Sequence, residues 1–244
     1  MDMKISGAGV IGGGEYDEIK ISGSAKIDGD VRCKAFHCSG AVHGDGKLTC
    51  DGDVHVSGSA KVGAVEASGG VHVSGSVSCV ELRAEGDVRV SGGAKIEGSV
   101  AGKNVHCSGG VKVGGGIEAE SFTLSGSMDC GGLLNAERVE IRLSNGHSAV
   151  QAIGGAEVIV KEAESVVNAG GLLSRLFSKP LGKTGTLAVR ESIEADDVSL
   201  VNTACPLVTG ARVTIGKGCV VDTVRYSESC EIAPDAKVGK REKI

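Results

Sequence analysis

Aromatic side chains are nearly absent from this sequence, which has no tryptophan, three phenylalanines and two tyrosines in 244 residues. Aromatic residues supply much of the core of an ordinary rounded domain. The core must therefore be built from Val, Ile, Leu, Ala and Cys, whose small side chains suit narrow, layered packing. The 40 glycines follow no Gly-X-Y period, which excludes collagen. A hydrophobic fraction of 41% argues against a disordered chain.

Signals for membranes and nucleic acids are also missing. No stretch of 18 apolar residues occurs, and Met1–Ile5 lacks the apolar run of a signal peptide. The net charge is only −5 and both signs are interspersed, so the chain offers nucleic acid no general attraction. We therefore expect a cytoplasmic protein with no nucleic-acid partner.

Catalytic and ligand-binding motifs are lacking as well. There is no GxSxG, no P-loop lysine motif, no HExxH and no CxxC. The nine cysteines are best interpreted as reduced thiols that act as small core hydrophobes, with metal binding or redox chemistry as the alternative. We predict that the protein is not an enzyme and has no catalytic residue, cofactor, metal or small-molecule substrate.

What the sequence does have is a repeat. A Ser-Gly pair at Ser22 returns at residues 39, 57, 74, 91, 108 and 125, in steps of 17 or 18 residues. A fixed period of this size indicates one small unit stacked on copies of itself. The fourth residue of each unit is apolar, and so is the last; the last residues are Cys38, Val56, Val73, Val90, Cys107, Leu124 and Ile141.

Each unit holds short segments in which apolar and polar residues alternate, separated by Gly, Asp and Ser. This pattern is typical of strands joined by turns. Seventeen residues suffice for three strands and tight corners, and parallel stacking places like residues about 4.8 Å apart. The sequence therefore predicts an all-β, three-sided parallel β-helix, or β-solenoid, of about twelve coils.

The repeat divides the chain into four segments. Coils 1 to 9 occupy residues 1–160, with Ser6–Ile21 as a degenerate first coil. Residues 161–185 break the pattern, the coils resume over 186–233, and residues 234–244 form a basic tail that we expect to be flexible.

The interruption at 161–185 contains a predicted two-turn amphipathic helix that ends before Pro180. Its apolar stripe is flanked by a basic residue, and the candidate contact residues are Leu172, Leu173, Arg175, Leu176 and Phe177. Such a helix would dock on the solenoid, lie in a membrane surface or bind a partner protein. The sequence leaves these three alternatives open.

One outward column of the coils contains His37, His55 and His72 in successive units. A ladder of this kind could bind a divalent metal or respond to pH. The neighbouring positions hold Lys20 and Arg89, which suit a cation poorly, and no carboxylate is placed with the histidines in the pattern. The sequence therefore favours a solvated outer face.

Two repeat units, Ile21–Val31 (ISGSAKIDGDV) and Val90–Val100 (VSGGAKIEGSV), resemble those of the bactofilins, the polymer-forming cytoskeletal proteins of bacteria. Three stretches resemble a longer cytosolic branch of that family, and these are Gly13–Ile19, Gly171–Phe177 and Gly210–Gly216 continuing to Tyr226. The resemblance implies a right-handed winding and polymerisation through the ends without nucleotide. It also implies a role in cell shape, envelope or motility organisation. The chain departs from core bactofilins in its extra coils, its insertion and its lack of proline-rich flanks and an N-terminal hydrophobic tail.

We therefore expect a self-assembling cytoskeletal scaffold whose main partner is a second copy of itself. A solenoid exposes ladder edges at its ends, so the candidate self-association residues lie in the first coil, at Val10, Ile11, Tyr16, Ile19 and Ile21. The membrane surface and envelope or motility proteins are further candidate partners. One alternative is a non-polymerising adaptor that makes its contacts through the 172–177 helix. Another is a hexapeptide-type β-helix acyltransferase, suggested only by Ile215–Val220 (IGKGCV).

Overall fold

The computed structural model describes residues 1–144, 146–163 and 185–244, and the regular structure in these ranges consists of β-strands. The strands are β1 (Met3–Ile5), β2 (Ala8–Ile21), β3 (Ser24–Cys38), β4 (Ala41–His43), β5 (Lys47–Cys50), β6 (Val54–Val56), β7 (Ser59–Lys61), β8 (Ala64–Ala67), β9 (Val71–Val73), β10 (Ser76–Cys79), β11 (Glu81–Ala84), β12 (Val88–Val90), β13 (Gly93–Ile96), β14 (Val100–Cys107), β15 (Gly110–Val113), β16 (Ile117–Leu124), β17 (Ser127–Leu143), β18 (His147–Gly154), β19 (Glu157–Glu162), β20 (Thr186–Val189), β21 (Ser192–Glu194), β22 (Asp197–Leu200), β23 (Thr203–Ile215), β24 (Val220–Ile232) and β25 (Lys237–Lys243).

The strands wind into a parallel solenoid with three sides per turn. In the middle of the chain β4, β5 and β6 make one turn, and they pair in parallel with β7, β8 and β9 of the next. Elsewhere one long strand bends around two or three sides, as β3 does when it pairs with β4, β5 and β6 in succession. The winding gives about thirteen turns, which confirms the predicted parallel β-solenoid.

The core is a set of inward columns, two from each side of the solenoid. The turn made by β3 contributes six residues, all 3% exposed or less, and these are Ala25, Ile27, Val31, Cys33, Phe36 and Cys38. Like residues stack in register along the axis, as in the column where Phe36 pairs with Val54 and Val54 pairs with Val71. All nine cysteines are free and buried, as the sequence suggested. Because one turn cannot enclose its own inner face, stability depends on contacts between neighbouring turns.

Steric contact between successive turns explains why the corner residue of each Ser-Gly pair is glycine. A Cβ built on Gly40, Gly58, Gly75, Gly92 or Gly109 would stand 1.8–1.9 Å from the carbonyl oxygen of the corner glycine one turn earlier. A carbon and an oxygen cannot approach so closely without moving the backbone. The repeat therefore requires glycine here because successive corners lie directly on one another.

The C-terminal segment differs from the sequence-based expectation. Residues 234–244 were expected to form a flexible tail, but β25 pairs in parallel with β24 from Lys237 to Lys243. The strand could not be recognised from the sequence because most of its residues are charged. Its position is set by backbone pairing with β24. This strand adds a partial turn, and the predicted count of about twelve coils is correspondingly short.

The solenoid continues across the predicted insertion. On its near side β19 ends at Glu162, and on its far side β20 begins at Thr186. Strand β18 pairs with both β20 and β21, and β19 pairs with β22, so the flanking turns stack directly on each other. The predicted 172–177 helix lies outside the described residues.

Candidate functional site

The N-terminal end of the core is covered by β1. Ile5 is 9% exposed, and its side chain lies over Gly9, where an added Cβ would stand 3.0 Å from Ile5 Cδ1. Three of the predicted self-association residues are consequently buried beneath the end, namely Ile11, Ile19 and Ile21, each 1% exposed or less. Of the predicted set, Val10 is 64% exposed and Tyr16 is half-buried. The side chains available to a partner at this end are therefore those of Val10 and Tyr16.

The two tyrosines of the chain occupy the same inward column at opposite ends of the solenoid. Tyr16 is in register with Cys33, and Tyr226 is in register with Gly210. Between them the column carries small residues, including Cys33, Cys50, Ala67, Ala84, Gly102, Ala119, Ala136 and Gly210. Both rings pack against the core, and the Tyr16 hydroxyl donates a hydrogen bond of 2.8 Å to the Gly12 carbonyl oxygen. Each tyrosine thus covers one end of a column that has no bulky side chain.

The C-terminal end of the core is covered by Ala236 and Val238 together with cations at inward positions. Arg241 is in register with buried Val224, and Lys243 is in register with Tyr226, so both occupy inward positions of the last turn. The Arg241 guanidinium lies 4.8 Å from the centre of the Tyr226 ring and donates a hydrogen bond of 3.0 Å to the Cys230 carbonyl oxygen. A cation over an aromatic face is attracted to it. The two ends of the rod therefore differ, because basic side chains occupy inward positions at the C-terminal end, beside Ala236 and Val238, whereas the N-terminal cap is apolar.

Both ends leave strand edges without a partner within the described residues. Strand β1 covers β2 only from Ile19 to Ile21, so residues 8–16 of β2 pair on one side alone. At the other end β25 pairs only with β24, and the Ser229–Ile232 portion of β24 pairs only with β23. Unpaired N–H and C=O groups on such edges can template the addition of another strand.

The outward histidine column forms a stacked ladder. The His37 and His55 rings have centroids 5.0 Å apart and planes 5° from parallel, and the His55 and His72 rings are 4.8 Å apart at 10°. The column continues from Lys20 on one side of the ladder to Arg89 and His106 on the other. The three imidazoles thus present their edges side by side on one face of the solenoid.

The cations that flank the ladder are neutralised by carboxylates. Lys20 Nζ lies 2.7 Å from Glu18 Oε1, and Arg89 Nη2 lies 2.6 Å from Asp87 Oδ2. Glu18 Oε1 is also 3.8 Å from His37 Nε2. Partial burial lowers the pKa of His72 below 6.5, and the nearby His55 and Arg89 lower it further. The expectation that no carboxylate lies beside the histidines is therefore wrong, because Glu18 and Asp87 stand next to the ladder.

The other predicted contacts are outside the part of the chain that can be described. Leu172, Leu173, Arg175, Leu176 and Phe177 all lie in the segment between residues 163 and 185, of which nothing is described. Across the ranges that the structure covers, no helix is long and apolar enough to cross a membrane. In those same ranges no three His, Cys, Asp or Glu side chains converge as metal ligands.

Two features of the ends were missed in the sequence. One is the pair of tyrosine caps, whose signal was available because the only two tyrosines lie near the two ends of the repeat. The other is the cationic cap, which has no sequence signal because a charged residue at an inward position breaks the apolar alternation by which strands are recognised.

These features define the class of protein: a parallel β-solenoid repeat protein whose end strands, within the ranges that the structure describes, have one unpaired edge each. Two curated relatives come from Bacillus subtilis (strain 168). The chain is 33% identical over 106 residues to "Uncharacterized protein YhbF", covering 43% of this chain and 39% of the relative. It is 32% identical over 107 residues to "Uncharacterized protein YhbE", covering 44% and 41%. The chain thus spans about two fifths of the length of the curated relatives it matches. No family model and no solved structure gives a significant match.

Proposed function

We propose that this protein is a structural scaffold that assembles end to end with copies of itself and acts without catalysis. The observation that carries the proposal is the pair of strand edges that no described residue pairs with, on β1 and β2 at one end and on β24 and β25 at the other. A second copy that pairs with such an edge would extend the ladders of the solenoid without any new type of contact. Heterologous pairing of one end with the other makes a filament, and pairing of like ends makes a dimer.

The geometry of the solenoid supports this role. Its outer faces are covered with charged and polar side chains, many of them in exposed ion pairs such as Arg212 with Asp197 and Lys47 with Glu66. Such a surface is poorly suited to lateral hydrophobic contacts, whereas the edges offer backbone hydrogen bonds. The resemblance to bactofilins adds right-handed winding, nucleotide independence and a cytoplasmic, envelope-organising setting to the proposal.

Sedimentation velocity and negative-stain electron microscopy of the purified chain test the proposal. We expect species that grow with protein concentration, that do not change when ATP or GTP is added, and that appear as rods. The rod lengths should be multiples of about 60 Å, taking about thirteen turns at roughly 4.8 Å each. A monomer at every concentration would refute self-assembly.

A matched pair of variants locates the contact. Val10 is 64% exposed at the N-terminal end, and Val80 is 52% exposed in the middle of the rod. We expect Val10→Asp to weaken association at least tenfold, because a charge on an edge strand opposes edge pairing. Val80→Asp should leave it unchanged. If Val80→Asp weakens assembly as much as Val10→Asp, the copies meet side by side and the end-to-end proposal is wrong.

A further inference from the structure

The stacked ladder of His37, His55 and His72 has no structural role that the solenoid requires. The three side chains project outward, away from the core columns, and they are only partly buried. Other turns carry Thr123, Glu140 or Lys20 at the same position without any change in strand register. The ladder is therefore a local surface feature, and its chemistry can be considered separately from the fold.

The rings of neighbouring histidines stand about 1.5–1.7 Å farther apart than the nitrogens of two imidazoles that share one metal ion. Two imidazoles bound to one tetrahedral Zn²⁺ at 2.0–2.1 Å have nitrogens about 3.3 Å apart. The parallel rings are spaced 5.0 and 4.8 Å apart, so two neighbouring side chains must tilt toward each other to bring their in-plane nitrogen lone pairs onto one ion. Such tilts leave the backbone ladder between β3, β6 and β9 in place.

The surroundings favour a cation more than the sequence pattern suggested. Lys20 and Arg89 are each paired with a carboxylate, Glu18 and Asp87, so neither presents an uncompensated charge to the ladder. The absence of a side chain at Gly70 lets His72 Nε2 approach the backbone there, since a Cβ on Gly70 would stand 3.1 Å from that nitrogen and 3.6 Å from Asp53 Oδ1.

We propose that the His37–His55–His72 ladder binds a divalent transition-metal ion, such as Zn²⁺ or Ni²⁺, between two neighbouring imidazoles. Imidazole nitrogen suits these ions, whereas Mg²⁺ and Ca²⁺ prefer oxygen ligands. Water completes the coordination shell, because only two protein ligands are offered at a time. The site is therefore open and exchangeable, unlike a closed four-ligand structural zinc site. This inference is independent of self-assembly.

The ladder offers two overlapping sites that share one residue. His37 and His55 form one pair, and His55 and His72 form the other, so one ion occupies the ladder at a time. Removing His55 eliminates both pairs, whereas removing His37 or His72 leaves one. His106 is in the same outward column, but its neighbours in register are Arg89 and Thr123, so it has no imidazole partner. It provides a matched control.

Isothermal titration calorimetry of the untagged full chain with ZnCl₂ or NiCl₂ at pH 7.5 tests the site, with MgCl₂ as a comparison. We expect one Zn²⁺ or Ni²⁺ per ladder and no Mg²⁺. His55→Gln should weaken binding at least tenfold, His37→Gln or His72→Gln by about twofold, and His106→Gln not at all. Circular dichroism of each variant verifies that the solenoid is intact.

Two further readouts complete the test. Imidazole NMR signals of the ladder should shift on addition of Zn²⁺ while that of His106 stays in place. Binding should weaken at pH 5.5, where protons compete for the ring nitrogens; the charged groups around the ladder are Glu18, Lys20, Asp53, Asp87 and Arg89. The proposal is overturned if the wild-type chain binds neither ion at 1 mM, or if His55→Gln binds as the wild type does. It is also overturned if His106→Gln weakens binding as much as His55→Gln.

Discussion

Replacing Gly92 with alanine should destabilise the solenoid severely, whereas the same change at its neighbour Gly93 should not. A Cβ on Gly92 would stand 1.8 Å from the Gly75 carbonyl oxygen, but a Cβ on Gly93 meets no atom within 4 Å. Neither residue has a positive φ, so the comparison isolates the steric contact between two turns. The two variants differ by one position in the chain and have the same composition.

The magnitude follows from the hydrogen bonds at this corner. Cβ atoms essentially never come within 3.0 Å of another heavy atom, so the two turns would have to separate by about 1.2 Å. Ser91 N donates to Val73 O at 2.8 Å, and Gly93 N donates to Gly75 O at 2.9 Å, and both bonds would be stretched past their useful range. Each amide left without a partner costs about 1–3 kcal/mol. We therefore expect Gly92→Ala to lose about 2–6 kcal/mol.

Urea denaturation followed by circular dichroism, together with hydrogen exchange, measures the difference. Gly93→Ala should be neutral or more stable by up to about 1 kcal/mol, because alanine restricts the unfolded chain. Because turns interact with their nearest neighbours, faster exchange in Gly92→Ala should be concentrated in the turns on either side of the corner. Equal urea midpoints for the two variants would refute the steric explanation of the Ser-Gly repeat.

Two further predictions concern the thiols and the C-terminal cap. Burial raises the pKa of Cys79 and Cys107 to about 12, so at pH 8 their reactive thiolate forms are scarce. Ellman's reagent should therefore modify Cys79 and Cys107 slowly in the folded chain and reach all nine thiols only in denaturant; rapid modification of those two thiols in the folded chain would contradict the packing. Arg241→Ala removes the cation from the Tyr226 ring and the hydrogen bond to a backbone carbonyl, and should cost about 1–2 kcal/mol in urea denaturation. Lys240→Ala is the control. An equal loss of stability in that variant would show that removing any positive charge from β25 destabilises the chain, and that the contacts of Arg241 are not the cause.

Much of the fold could be predicted because a solenoid repeats its register. Once the Ser-Gly pairs align the units, each apolar column follows, and the structure buries the expected residues, such as Val71 under Val54 and Val88 under Val71. The alignment could not explain why the second residue of each Ser-Gly pair is glycine. A side chain there would clash with the previous turn of the solenoid, not with residues nearby in the sequence. The alignment also missed β25, whose charged inward residues resemble those of a solvated tail.

The candidate site was harder to predict because it depends on contacts between segments that the repeat does not align. The sequence predicts an open end at the first-coil isoleucines, but these are buried, and Met3–Ile5 is a strand that pairs along Ile19–Ile21. Three residues are too few for a strand to be recognised by alternation. The histidine column was visible in the sequence. Its neutralising carboxylates were overlooked, although Glu18 and Asp87 each precede the flanking cation by two residues and so lie on the same face of the chain.

The difference between the two ends bears on how copies could meet. At the C-terminal end Arg241 and Lys243 occupy inward positions, so two such ends placed face to face would bring four cations onto one core. Inward-pointing charge is one of the devices by which natural sheets prevent edge-to-edge pairing. At the N-terminal end the core is covered by Ile5, Met3 and Tyr16, and the open edge of β2 carries exposed Val10. Self-association should therefore use the N-terminal edge in every contact, either with another N-terminal edge or with the basic end of the next copy.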